Sequence, residues 1–108
     1  MHNKAFDFTR FQLRRCSDDL VYRFVRVQRQ DGSIAYLRTD NNKLSIEYDP
    51  HCGWIARDPD TKEVTGRPWN VFLVEEQDPD HPPQGEWVSK KRDKSYVYEL
   101  VFTGQDNG

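Results

Sequence analysis

The sequence predicts an all-β fold, a small antiparallel sandwich or partly open barrel of about seven to eight short strands. Three observations carry this. Residues 94–102 alternate at period two, with Tyr96, Tyr98, Leu100 and Phe102 on one side and Ser95, Val97, Glu99 and Val101 on the other. Turn-forming clusters recur at intervals of about 8–12 residues along the chain. A helical period fits only one short segment, residues 20–30, so an α+β fold would hold at most one short helix.

Phe6, Phe8, Phe11 and Leu13 outline a first strand. The slip from even to odd positions near Arg10 requires a bend or a bulge. Cys16, Ser17, Asp18 and Asp19 form the first connection. Residues 20–30 allow two readings. Ser17 or Asp18 would cap a helix carrying Leu20, Phe24 and Val27 on one face. Against this, Val21, Tyr22, Phe24, Val25 and Val27 are strand formers. Asp31 and Gly32 then precede a strand-like run over residues 34–39, which is a hairpin signal and favours strand–turn–strand.

Asp40, Asn41 and Asn42 make the next turn. Leu44, Ile46 and Tyr48 alternate with Ser45 and Glu47 in a strand that Asp49 and Pro50 stop, since proline donates nothing to a ladder. Asp58, Pro59 and Asp60 turn residues 54–57 into residues 64–69 as a hairpin. Trp69, Val71 and Leu73 alternate with Asn70, Phe72 and Val74, apolar on most of both faces, which predicts a central strand. Residues 77–85 hold Pro79, Pro82, Pro83 and Gly85 and read as a rigid loop. Trp87 and Val88 open a strand that turns at Lys91, Arg92 and Asp93 into residues 94–102, and the last residues are expected to fray.

Residues 1–108 read as one domain. The 35% hydrophobic fraction is low beside 31% charged residues, but 13% aromatic content compensates and points to a thin core built of rings. A formal charge of −2 argues against generic polyanion binding. The charge is uneven: Arg10, Arg14, Arg15, Arg23, Arg26 and Arg29 face only Asp18 and Asp19 in their stretch, whereas residues 75–86 hold five carboxylates and no Lys or Arg. Such asymmetry marks either a binding face or strands whose charges pair locally. No run approaches the roughly 18 apolar residues of a membrane span. The first residues lack the apolar stretch of a signal peptide, so a cytoplasmic location without membrane association is expected. Cys16 and Cys52 show no C-x-x-C spacing and are expected as free thiols, although spacing alone leaves a bridge open.

Candidate chemistry is sparse. His51 and Cys52 adjoin Asp49, with His2, His81 and Cys16 elsewhere, but zinc needs about four converging ligands and none of these forms a close ligand pair. Adjacent residues in extended chain point to opposite faces, so His51 and Cys52 do not make a nucleophile and base. Glu75, Glu76, Asp78 and Asp80 lack the spacing of a calcium loop. No catalytic residue, metal or cofactor is assigned.

Trp54 and Trp87 each begin a strand beside a glycine, at a rim where a ring stacks well on a ligand, whereas Trp69 reads as core. The competing reading makes all three core rings. Arg23, Arg26 and Arg29, interleaved with Tyr22 and Phe24, join Lys90, Lys91 and Arg92 as a nucleic-acid candidate. Opposite strand parity of Arg26 and the mildly acidic chain weigh against it. The leading expectation is a binding module without catalysis, engaging a protein partner or a second copy of itself through exposed rings or an open sheet edge. The alternatives are a small-molecule or sugar pocket in a barrel mouth, served by Trp54, Trp87, His51, Glu47 and Tyr48 and open to a weak enzymatic activity, and single-stranded nucleic-acid binding.

Overall fold

The computed structural model describes residues 8–40, 44–71, 73–91 and 93–103. Within them the alternating stretches become β1 (Arg10–Arg15), β2 (Val21–Gln28), β3 (Ile34–Arg38), β4 (Ser45–Asp49), β5 (Gly53–Arg57), β6 (Val64–Pro68), β7 (Gly85–Lys91) and β8 (Lys94–Phe102). Each strand pairs antiparallel with the next, and β8 returns to β1 with Phe11 opposite Phe102 and Leu13 opposite Leu100. The all-β expectation holds. The sheet closes on itself completely, so it is a barrel without the open edge that the sequence left available.

Residues 21–28 are strand, not helix. Their β-branched and aromatic side chains lose less rotamer freedom on a pleated surface, and the segment pairs on both sides, with β1 and with β3. The bend foreseen near Arg10 lies at Thr9, letting Phe8 and Phe11 both reach the interior despite opposite parity. Phe6, Asn41, Asn42 and Arg92 lie outside the described residues.

Inward positions of every strand but β6 meet in one core. Phe11, Phe24, Tyr36, Ile46, Trp54, Trp87, Leu100 and Phe102 are buried there, with Tyr22, Tyr48 and Tyr98 packed at its margins. Phe11 touches Phe24, Tyr36 and Phe102 at ring-centroid distances of 5.0, 4.8 and 5.6 Å, so aromatic contacts span the barrel.

The strand expected over residues 69–74 is absent among the described residues of that span, which leave out Phe72. The strand β6 stops at Pro68, and Val74–Glu76 forms a single 3-10 turn. Pro68 supplies no N–H to extend the ladder. Beyond it, Asn70 Oδ1 accepts the Glu86 N–H at 2.6 Å, drawing the chain off the wall. Trp69, expected in the core, is 60% exposed, and Leu73 is 49% exposed. Trp54 and Trp87 are 0% and 2% exposed, which bears out the core reading of these two rings and rules out the rim reading.

Both buried indoles need an acceptor, and the loop at 77–84 supplies it. Trp54 Nε1–H donates to the Asp78 carbonyl at 2.7 Å, and Trp87 Nε1–H to the Pro83 carbonyl at 3.0 Å. Gln77 is buried and bridges: its Oε1 accepts the Trp54 backbone N–H at 2.8 Å and its Nε2 donates to the Val71 carbonyl at 2.9 Å. Gly53 makes room for it. At φ +81°, its missing Cβ would sit 2.5 Å from Gln77 Oε1. His81 stacks on Phe8 at 3.7 Å, and Asp80 accepts from Arg26 at 3.1 Å, so the proline-rich loop covers one end of the barrel.

Replacing Gln77 by Ala strands the Trp54 N–H in the interior. Urea denaturation should show a loss of about 1–3 kcal/mol with an unchanged slope. A loss indistinguishable from zero would mean that the Gln77 bridge does not hold the loop to the wall.

Candidate functional site

Across β5, β6 and β7, three small residues stand in register on the inner face: Ala56 opposite Gly66, and Gly66 opposite Ser89. A Cβ on Gly66 would come 3.3 Å from Ala56 Cβ, so the wall is drawn in as tightly as glycine permits. Small side chains on one wall leave space in front of them. That space is a cavity of about 110 Å³ which opens to the surface.

Its lining comes from the whole barrel: Leu13, Tyr22, Phe24, Arg38, Ala56, Trp87 and Tyr98 among others, with Leu44 just ahead of β4. The cavity lies at the end away from the 77–84 loop. On β2, Tyr22 lines it whereas Arg26 meets Asp80, and on β8 Tyr98 lines it whereas Phe102 packs against His81.

The cavity floor is apolar and its mouth is polar. Arg38 places its guanidinium carbon 3.9 Å from the Tyr22 ring centroid, a cation–π contact, and pairs through one terminal nitrogen with Asp40. Its side chain is only 14% exposed. Among the described residues, Arg38 Nε is the one buried side-chain nitrogen or oxygen without a hydrogen-bond partner. A buried donor left unpaired costs about 1–3 kcal/mol, so this atom marks where the wall is chemically incomplete. Burial raises the Tyr98 phenol above its ordinary range, only partly offset by hydrogen bonding to Arg15.

Arg15 stands opposite the lining residue Tyr98 in the β1–β8 register, 5.2 Å from the Tyr96 ring and forked onto Asp18 at 2.9 and 2.8 Å. Hydrogen bonding to Arg15 is the main cause that draws the Asp18 carboxyl down to about 2.

The residues anticipated from sequence are scattered. Trp87 lines the cavity as part of the core, whereas Trp54 belongs to the loop-covered end. Tyr48 points inward at that same end, edge-on to Trp54 at 5.6 Å. His51 is exposed in the turn after β4, its backbone N–H donating to Asp49 Oδ1 at 2.7 Å. Glu47 lies outside the barrel between Arg29 at 2.9 Å and Arg57 at 2.8 Å. Burial pushes its carboxyl up, but the two guanidiniums more than offset this and hold it below the usual range.

The basic residues do not share one face. Arg23 is exposed, while Arg26 has the opposite parity on β2 and binds Asp80. Lys90 and Lys91 belong to β7, separated from β2 by β1 and β8. The uneven charge is therefore largely self-compensating: Arg14 meets Asp19 and Glu99, Arg15 meets Asp18, and Arg26 joins the basic stretch to the acidic one.

Cys16 and Cys52 are free thiols. Among the described residues, no group of three or more His, Cys, Asp or Glu converges as a metal site, and no helix is long and apolar enough to cross a membrane. Sequence reading missed Arg38, Tyr22, Tyr98, Ala56, Gly66 and Ser89. Gly66 inside a strand was the available signal, since such a glycine marks a close approach or a ligand wall. Comparison with family models, curated proteins and solved structures finds no match for this chain.

The Arg15 fork makes a pH prediction. A lowered folded-state pKa contributes stability that is present above the unfolded value of 3.8 and is lost as pH falls through about 2. NMR titration should place the Asp18 midpoint near 2, and Arg15→Gln should move it up toward the ordinary range. A midpoint already at 3.8 in the unmodified protein would show that the fork does not persist in solution.

Proposed function

We propose that this chain is a small-molecule-binding barrel whose ligand sits in the cavity lined by Leu13, Phe24, Ala56 and Trp87. One observation carries the reading: the row of Ala56, Gly66 and Ser89 leaves an apolar space open to solvent inside an otherwise filled barrel. Barrels of about eight strands are wide enough either to be filled by side chains or to hold one small ligand. Closure removes the sheet edge on which strand-to-strand partner binding would rest. The reading is of binding and not of catalysis, since the described lining residues include no carboxylate, imidazole or thiol to pair with Ser89 or Tyr98.

Size sets the affinity. An apolar cavity of about 150 Å³ accommodates benzene, so 110 Å³ suits a shorter ligand or the end of a longer one. About five heavy atoms at no more than ~1.5 kcal/mol each give micromolar binding at best, and half that efficiency gives millimolar.

A second reading, engagement of a protein partner, draws on the outer face. There the exposed Trp69 shares a groove with Val64, Val88 and Lys90.

One set of variants separates the two. Short-chain alcohols and amides at millimolar concentration should raise the melting temperature of the unmodified protein. Ala56→Leu or Ser89→Val, which fill the cavity, should abolish that rise while Trp69→Ser preserves it. If the fillers leave the rise intact, or if no probe produces one, the cavity reading fails. Concentration-dependent sedimentation lost in Trp69→Ser would support the outer face instead.

A further inference from the structure

We propose that the ligand of this cavity is a small monocarboxylate with a short apolar tail, its carboxylate held by Arg38 and its tail among Leu13, Phe24 and Trp87. The inference rests on the cavity reading above and adds the chemical class.

The first argument is the unmatched donor. Arg38 lines the cavity, and its Nε is buried without a partner among the described residues. The atom is closed to solvent as the side chain stands, so binding must turn the guanidinium edge toward the cavity, where a carboxylate makes the short, charge-assisted kind of hydrogen bond. A guanidinium presents its donors as a planar fork matched to two carboxylate oxygens. Here one terminal nitrogen already engages Asp40 while the Nε does not. Asp40 is 55% exposed, so a ligand carboxylate can share the fork with it or send it into solvent. The Tyr22 ring beneath the guanidinium holds the fork at the mouth.

The second argument is charge. Arg38 lines the mouth and Arg15 stands opposite the lining residue Tyr98, and each already faces a carboxylate, Asp40 and Asp18. A monoanion adds one charge to a balanced set, whereas a dianion such as phosphate adds two beside two fixed carboxylates. The third is polarity by depth. Below the mouth the wall is Leu13, Phe24, Ala56 and the Trp87 ring, which a hydrated inorganic anion gains nothing by touching.

The test titrates ¹⁵N-labelled protein at neutral pH with butyrate, with its neutral isostere butyramide, and with inorganic phosphate. Butyrate should shift the Arg38 Nε–H resonance together with the amides of Ala56 and Ser89, and should bind about tenfold more tightly than butyramide. Arg38→Lys, which keeps the charge but not the fork, should remove most of that preference for butyrate over butyramide. Butyramide binding as tightly as butyrate would overturn the carboxylate class while leaving the cavity reading standing. No shift at any cavity resonance from either would overturn both. Phosphate alone moving Arg38 Nε–H would overturn the tailed ligand in favour of a bare anion. Should Arg38→Lys fail to fold, the three-probe comparison on the unmodified protein decides.

Discussion

Closure governs this molecule. Once β8 pairs with β1, the wall is a cylinder whose width the strand count and stagger dictate, and side chains must fill whatever that width leaves. The sequence meets the demand unevenly. Toward one end it sets Trp54, Tyr36, Phe11, Phe24 and Phe102 against one another, and toward the other it places Ala56, Gly66 and Ser89 side by side. The cavity is the direct result of that difference in volume. It needs no special loop or mobile lid.

The two ends then receive different treatment. The loop at 77–84 covers the crowded end, and its carbonyls and the Gln77 amide satisfy polar atoms that burial of two tryptophans creates. Among the described residues nothing comparable completes Arg38 at the other end, where the buried Nε stays unpaired. Among the described residues, eight arginine–carboxylate ion pairs decorate the barrel, but most are partly exposed, and each such pair contributes about 0–1 kcal/mol. The aromatic interior holds the fold, and the surface charges mainly keep one another balanced.

Much of the fold was legible because period-two alternation is a local property. Strands such as β4 and β8 show it plainly, and the hairpin turn at Asp31 and Gly32 settled residues 21–28 in favour of strand. What failed was inference about which face meets which. Residues 69–74 look like a central strand because they are apolar on both parities, yet Pro68 ends the ladder and the chain departs the wall. The rim reading of Trp54 and Trp87 and the core reading of Trp69 failed for the same reason. Proximity to glycine says that backbone turns nearby, not whether a ring points into the barrel. The cavity was less legible still, since three unremarkable small residues spread over positions 56–89 become one wall only when the register is known. Arg38 carried no motif at all.

The central claim is that small molecules enter the barrel at the end defined by Ala56, Gly66 and Ser89. The most direct measurement is intermolecular NOE spectroscopy between a short unlabelled aliphatic ligand and ¹³C-labelled protein. The account predicts cross-peaks to the Ala56 methyl, the Leu13 methyls and the Trp87 ring. Cross-peaks confined to the outer methyls of Val64, Val97 or Val101 would contradict it, as would none at saturating ligand.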